Sequence, residues 1–191
     1  MKIGAAAAAL IAVPSKLKAV ESPLVSAPPA LVPAMVEPAR ATRALSFVHT
    51  HTAEKLAIQY CCDGLYDTAA LGKLNHLLRD FRTGDEHPID PKLFDLLHEL
   101  SVTLGAEGEA YHIISGYRSP VTNTMLQKRG GPNTGVATRS LHMVGQAIDI
   151  RMPGVKLKEL RDRAAALKRG GVGYYPASNF VHVDTGRVRY W

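Results

Sequence analysis

The stretch Ser140-Leu141-His142-Met143-Val144-Gly145-Gln146-Ala147-Ile148-Asp149 decides the reading of this chain. A histidine and an aspartate stand seven positions apart with a glycine between them. A turn at Gly145 folds the two arms back and brings an imidazole next to a carboxylate. A second segment, Phe180-Val181-His182-Val183-Asp184-Thr185-Gly186, supplies another histidine on a predicted neighbouring strand. Two histidines and one carboxylate suit Zn²⁺ with a fourth position open for water. On spacing alone the signal is modest, because strand histidines are more often ordinary hydrogen-bonded residues than ligands.

Short strands surround these segments: Tyr111–Ser115, Ala147–Arg151, Val172–Tyr175 and Phe180–Asp184. Upstream, Leu45–His51 and Leu56–Cys61 read as a hairpin, followed by a turn at Asp63-Gly64. Leu71, Leu74, Leu77, Leu78 and Phe81 follow helical spacing over Thr68–Phe81, with Asp67 as N-cap. Asp90-Pro91 pairs an N-cap with a first-turn proline and opens a second helix through Leu93, Phe94, Leu97 and Leu100 towards Gly105. Ser119-Pro120 starts a helix to Arg129, and Lys156–Lys168 is amphipathic. Gly130 to Thr138 reads as an exposed loop. His76 and His98 fall on helix faces. The expected fold is α+β, a small antiparallel sheet with flanking helices.

The chain has 191 residues, enough for one domain and an extension. Hydrophobic residues make up 46% and charged residues 21%, so a core can form and a disordered chain is excluded. No apolar run approaches the ~20 residues that cross a bilayer, which excludes a polytopic membrane protein. The net charge is +6. Lys2, Lys16, Lys18 and Arg40 against Glu21 and Glu37 account for two of the six in the first 41 residues. The surplus favours an anionic partner such as an acidic wall polymer. The positive charges are dispersed, without the dense stripe that nucleic acid requires, so no nucleic-acid partner is expected. Cys61 and Cys62 are adjacent, would bridge only with strain, and cannot supply the four ligands of a zinc ribbon.

The start, Met1 to Val13, resembles a secretory signal with a weak n-region, and Val25-Ser26-Ala27 offers a small-x-small cleavage site. Residues 14–44 are rich in Pro and Ala and read as a stiff unstructured linker. The ordered domain is expected over residues 45–191 in the periplasm, with a membrane contact only through an uncleaved N-terminal segment. The sequence sets no oligomeric state.

Ser140, His142, Gly145, Ala147 and Asp149, with the later His182, match Ser-x-His-x-x-Gly-x-Ala-x-Asp…His, and so resemble the zinc D,D- and L,D-peptidases of the bacterial cell wall. That group shares its fold with the hedgehog signalling domain. The wider context is similar to the subfamily containing murein endopeptidase K. This likeness covers the hairpin, Leu74–Asp80, Ile114–Pro120, Gly170–Pro176 and the C-terminus, most of the chain from Leu45 to Trp191. The resemblance implies a zinc-dependent murein endopeptidase acting on peptidoglycan peptides, with Zn²⁺ held by His142, Asp149 and His182. Its alternatives are a D,D- or L,D-carboxypeptidase on stem peptides and an inactive zinc-containing wall-binding module.

In the dipeptidase branch of that family a Glu three residues before the last ligand is the general base. Asn179 stands there in this chain, and an amide cannot act as a base. Asp184, two residues after His182 on the same strand face, is the substitute candidate, with orientation of a ligand histidine as its competing role. Arg118 matches the family position that approaches substrate, where a guanidinium binds a carboxylate or the developing oxyanion. Ser140 is expected to support His142 by a hydrogen bond, and Gly145 to meet a backbone requirement. Tyr174 and Tyr175 either line the cleft or pack in the core.

Overall fold

The computed structural model describes residues 41–130 and 136–191. The expected leader at 1–13 and most of the linker at 14–44 lie outside the described residues, as do residues 131–135 of the expected loop.

The elements run β1 (Thr42–His49), β2 (Lys55–Cys62), β3 (Leu65–Tyr66), α1 (Thr68–Leu77), α2 (Pro91–Thr103), β4 (Ala110–Ser115), α3 (Pro120–Gly130), β5 (Ala147–Arg151), α4 (Leu157–Leu167), β6 (Gly171–Tyr175), β7 (Phe180–Asp184) and β8 (Arg189–Tyr190). Strand β1 begins three residues upstream of the expected domain start at Leu45. All eight strands form one sheet in the order β3-β2-β1-β4-β5-β7-β6-β8. The α+β class holds, but the sheet is neither small nor wholly antiparallel. Strands β1 and β4 pair in parallel, as do β6 and β8. A parallel neighbour needs a crossover, here through α1 and α2, and no local pattern announces one. Strands β3 and β8, at two residues each, are too short for periodicity to register.

The helices form where the caps direct them. The Asp67 carboxylate accepts from Ala69 N and Ala70 N, and that of Asp90 from Lys92 N ahead of Pro91. Helix α1 stops at Leu77 rather than Phe81, because Leu78 leaves the helical region as its C-cap. Leu74, Leu93, Phe94, Leu97, Leu100 and Leu160 bury their side chains with Ile148, Ile150, Val181 and Val183 in one core. Ile148 pairs with Val183, and Ile150 with Val181, so these four share the helix-covered face of the sheet. By the alternation of the pleat, Asp149 and His182 lie on the other face. They are direct cross-strand partners. The row continues on either side, with Ser115 opposite Asp149 and Gly173 opposite His182.

Among the described residues no helix is long and apolar enough to cross a membrane.

Candidate metal centre

Leu141–Val144 form a single 3-10 turn that ends on Gly145 in the left-handed conformation, φ 66°. A side chain at Gly145 would be strained there, and its Cβ would stand 2.2 Å from the Pro88 carbonyl oxygen. The tight turn delivers His142 beside Asp149 at the start of the central strand pair. Asp90 clamps it: its N–H donates to the Gly145 carbonyl at 2.9 Å, and its carboxylate accepts from Thr185 Oγ1 at 2.8 Å.

His142, Asp149 and His182 are all buried, and each offers one ligand atom to a common point. His142 Nε2 lies 3.2 Å from His182 Nδ1 and 3.3 Å from Asp149 Oδ1, and His182 Nδ1 lies 2.9 Å from the same oxygen. Zinc bonds of about 2.0–2.2 Å at tetrahedral angles separate ligand atoms by about 3.4 Å. The three donors are therefore already spaced for one small tetrahedral ion. Ring orientation agrees with this. His142 Nδ1 donates to the Gly116 carbonyl at 2.7 Å, leaving Nε2 with its lone pair towards the cluster. His182 Nε2 donates to Asp184 Oδ2 at 3.0 Å, which leaves Nδ1 as the inward nitrogen. Each ligand histidine thus has its outer nitrogen held by an oxygen, the usual arrangement around a bound metal.

Without a metal these groups share charge among themselves. Burial favours a neutral Asp149, but its two histidine neighbours, His142 foremost, outweigh it and hold its carboxyl well below the usual range. Burial pushes the His142 pKa down. Burial opposes charge on His182 too, yet bonds to Asp149 and Asp184 push its pKa up to about 9.

Asp184 is fully buried, and it faces the outer nitrogen of His182, not the ligand cluster. Its oxygens also accept from Gly171 N at 3.0 Å, Gly186 N at 2.9 Å and both Arg189 terminal nitrogens at 3.1 and 2.8 Å. Burial disfavours this carboxylate, but the donors outweigh it and hold its pKa far down.

Arg118 reaches the cleft from the Ser115–Pro120 segment, which is pinned from beneath. Gly116 lies against Leu78, where a Cβ would come within 2.5 Å of the carbonyl oxygen, and Tyr117 N donates to that oxygen at 2.7 Å. The buried Asp80 carboxylate accepts from Ser119 N at 2.9 Å. The Arg118 guanidinium stands 3.6 Å from Asp149 Oδ2. The residue lines the cleft, while its buried Nε has no hydrogen-bond partner among the described residues.

Other expectations fare differently. Ser140 caps the 3-10 turn without a side-chain hydrogen bond to it, and both ring nitrogens of His142 are engaged elsewhere. The Gly116 carbonyl takes the supporting role expected of Ser140. Asn179 sits at φ 53° in the turn joining β6 to β7, a conformation that asparagine tolerates, and does not line the cleft. Tyr175 lines the cleft, whereas Tyr174 packs against the core under the Arg161 guanidinium. Cys61 and Cys62 are free thiols.

The cleft holds about 160 Å³, and its walls include Arg118, Arg139, Phe180, Arg189 and Trp191 beside the metal group. Sequence reasoning missed Asp80, Arg139, Arg189 and Trp191. Asp80 lies within a quoted stretch but carries no motif that marks its role.

A peptidoglycan L,D-endopeptidase MepK family model matches residues 37–191. The chain is 43% identical over 149 residues to the peptidoglycan L,D-endopeptidase MepK of Escherichia coli (strain K12), covering 78% of this chain and 80% of that protein. It is 42% identical over 149 residues to the "Probable peptidoglycan L,D-endopeptidase MepK" of Haemophilus influenzae, covering 78% of each. No solved structure matches the chain.

Proposed function

Because this chain belongs to the peptidoglycan L,D-endopeptidase MepK family, a family of metallopeptidases, we propose that it is a zinc-dependent endopeptidase hydrolysing peptide cross-links in peptidoglycan. The observation that carries this reading is the convergence of His142 Nε2, Asp149 Oδ1 and His182 Nδ1 at tetrahedral spacing in a cleft. Two nitrogens and one carboxylate oxygen are the donor set of catalytic zinc sites, with one position left open. Held by His142, Asp149 and His182, zinc would lower the pKa of a bound water and polarise the scissile carbonyl.

The chain's own residues do the rest. The Gly116 carbonyl and the Asp184 carboxylate fix the two imidazoles in the tautomers that face the metal. Arg118, which lines the cleft beside Asp149, donates to the carbonyl oxygen as charge grows on it. The five donor contacts around Asp184 and its place behind His182 support an orienting role over that of proton acceptor. The row Ser115–Asp149–His182–Gly173 crosses four strands with Asp149 and His182 on its middle pair, and helices on the opposite face support a hedgehog/D-Ala-D-Ala peptidase-like arrangement. Residues 1–13 act as an export segment and the stretch from 14 up to β1 as a linker, so that the domain works in the periplasm with its substrate.

Digestion of purified sacculi, read by mass spectrometry of muropeptides, tests the activity. The zinc-loaded chain should convert cross-linked dimers to monomers, and His142→Ala should lose both zinc and that conversion. Full zinc occupancy in the variant, or sacculi left intact by the loaded wild type, refutes the proposal. Cell fractionation checks location, and retention in the cytoplasm counts against export.

A further inference from the structure

Trp191 takes no part in the metal chemistry, yet its ring is fixed on several sides. It lies over Gly173, where a Cβ would come within 2.6 Å of Cε2. Its Nε1 donates to the Tyr175 hydroxyl at 2.7 Å, and Tyr175 is stacked on Phe180 with centroids 4.6 Å apart. The Arg189 guanidinium, itself paired with Asp184, stands 4.8 Å from the indole centroid. Backbone bonds tie the residue to Val172 and Tyr174. Despite this, Trp191 remains 49% exposed, and its ring centroid is 5.3 Å from that of His182. A ring kept only for packing would be covered. One that is held rigid and left half open offers apolar contact area with little ordering entropy to lose.

We propose that Trp191 is a substrate-contacting, specificity-determining residue. Its indole, backed by Tyr175 and Phe180, forms the cleft wall against which the aliphatic flank of the substrate residue beside the scissile amide packs. The proposal rests on the reading of His142, Asp149 and His182 as the catalytic centre. A peptide bond brought to that centre must carry its flanking residue past a wall one ring away from a ligand. The contact is made equally in the ground and transition states, so it acts on KM and leaves kcat in place.

Trp191 is the chain's only tryptophan, so the unmodified protein reports on itself. In the first arm, Co²⁺ is titrated into metal-free protein and tryptophan emission followed. Quenching at one equivalent is expected from the proximity to His182, and its absence overturns the reading of the metal centre. In the second arm, an uncross-linked muropeptide monomer is titrated into zinc-loaded protein. Emission should change with a midpoint matching the monomer's inhibition of dimer hydrolysis. A monomer that inhibits while the emission stays constant overturns the role of Trp191 and leaves the metal centre standing. On a soluble cross-linked dimer, Trp191→Ala should raise KM roughly tenfold, the equivalent of about 1.4 kcal/mol, with kcat and zinc content unchanged. Trp191→Phe should recover part of that loss. Wild-type KM in both variants also overturns the proposal, and the fluorescence arm decides where Trp191→Ala does not fold.

Discussion

Replacing Asp184 by asparagine separates its two roles. The carboxylate meets five donors: His182 Nε2, the N–H groups of Gly171 and Gly186, and two nitrogens of Arg189. An amide keeps one acceptor oxygen. If that oxygen stays with Gly171 and Gly186, the new NH₂ group points at Arg189 and at His182 Nε2. Relief comes when His182 changes tautomer, so that Nε2 accepts and the proton moves to Nδ1, the atom needed by the metal. Zinc affinity should then fall about 10- to 100-fold, equivalent to about 1.4–2.8 kcal/mol. The fold itself should lose about 1–3 kcal/mol, because buried donors lose an acceptor while the part-exposed Arg189 can turn to water. With zinc titrated to saturation, kcat should return to within a few-fold of wild type. A base would behave otherwise: its loss costs about 10²- to 10⁴-fold in rate at any metal concentration. The assay is dimer hydrolysis across a zinc titration, alongside competition with a chelating dye. Wild-type zinc affinity together with a hundredfold loss of rate at saturation would refute the orienting role.

Three further outcomes are expected. At pH 7.5 the metal-free protein holds a proton on His182, whose pKa is pushed up to about 9, and zinc needs that nitrogen's lone pair. Loading should release about one proton per ion, so apparent affinity should rise about tenfold per pH unit up to pH ~9 and then level off. Calorimetry in buffers of different ionisation enthalpy measures this, and zero release contradicts it. The same raised pKa stabilises the metal-free fold in full below the unfolded value near 6.5, and this contribution fades as pH rises through about 9. Gly145→Ala forces a left-handed alanine and a Cβ onto the Pro88 carbonyl. The conformation alone costs about 1–2 kcal/mol, or roughly 2–8 °C in Tm for a domain of this size, and a wild-type melting curve rules the argument out.

The candidate ligands are legible in the sequence because they sit in local patterns. A glycine midway between His142 and Asp149 announces a turn, and the two-residue period of β7 sets His182 and Asp184 on one face. The period could not say which imidazole nitrogen Asp184 meets, and that decides its chemistry. Arg189 and Trp191 were illegible for another reason. They stand on and just after a two-residue strand whose partner β6 runs parallel to it, and they reach the site only across the sheet. Asp80 supports Arg118 from 38 positions upstream in sequence through a single bond to Ser119 N. Helix caps at Asp67 and Asp90 were readable to the residue, whereas the parallel pairing of β1 with β4 had no local signature.

The direct opposition of Asp149 and His182 across β5 and β7 carries a consequence for how the chain folds. A slip of one position along β7 would set Val181 or Val183 opposite Asp149, turn His182 into the oily interior and leave an ionised carboxylate facing valine. Only one alignment of the two strands offers both ligands to the same ion. An ion captured during folding would therefore act as a proofreader of strand alignment, favouring the correct pairing of β5 with β7 over the shifted ones. Misaligned molecules gain nothing from added zinc, so refolding yield should depend on when the metal is supplied as well as on how much.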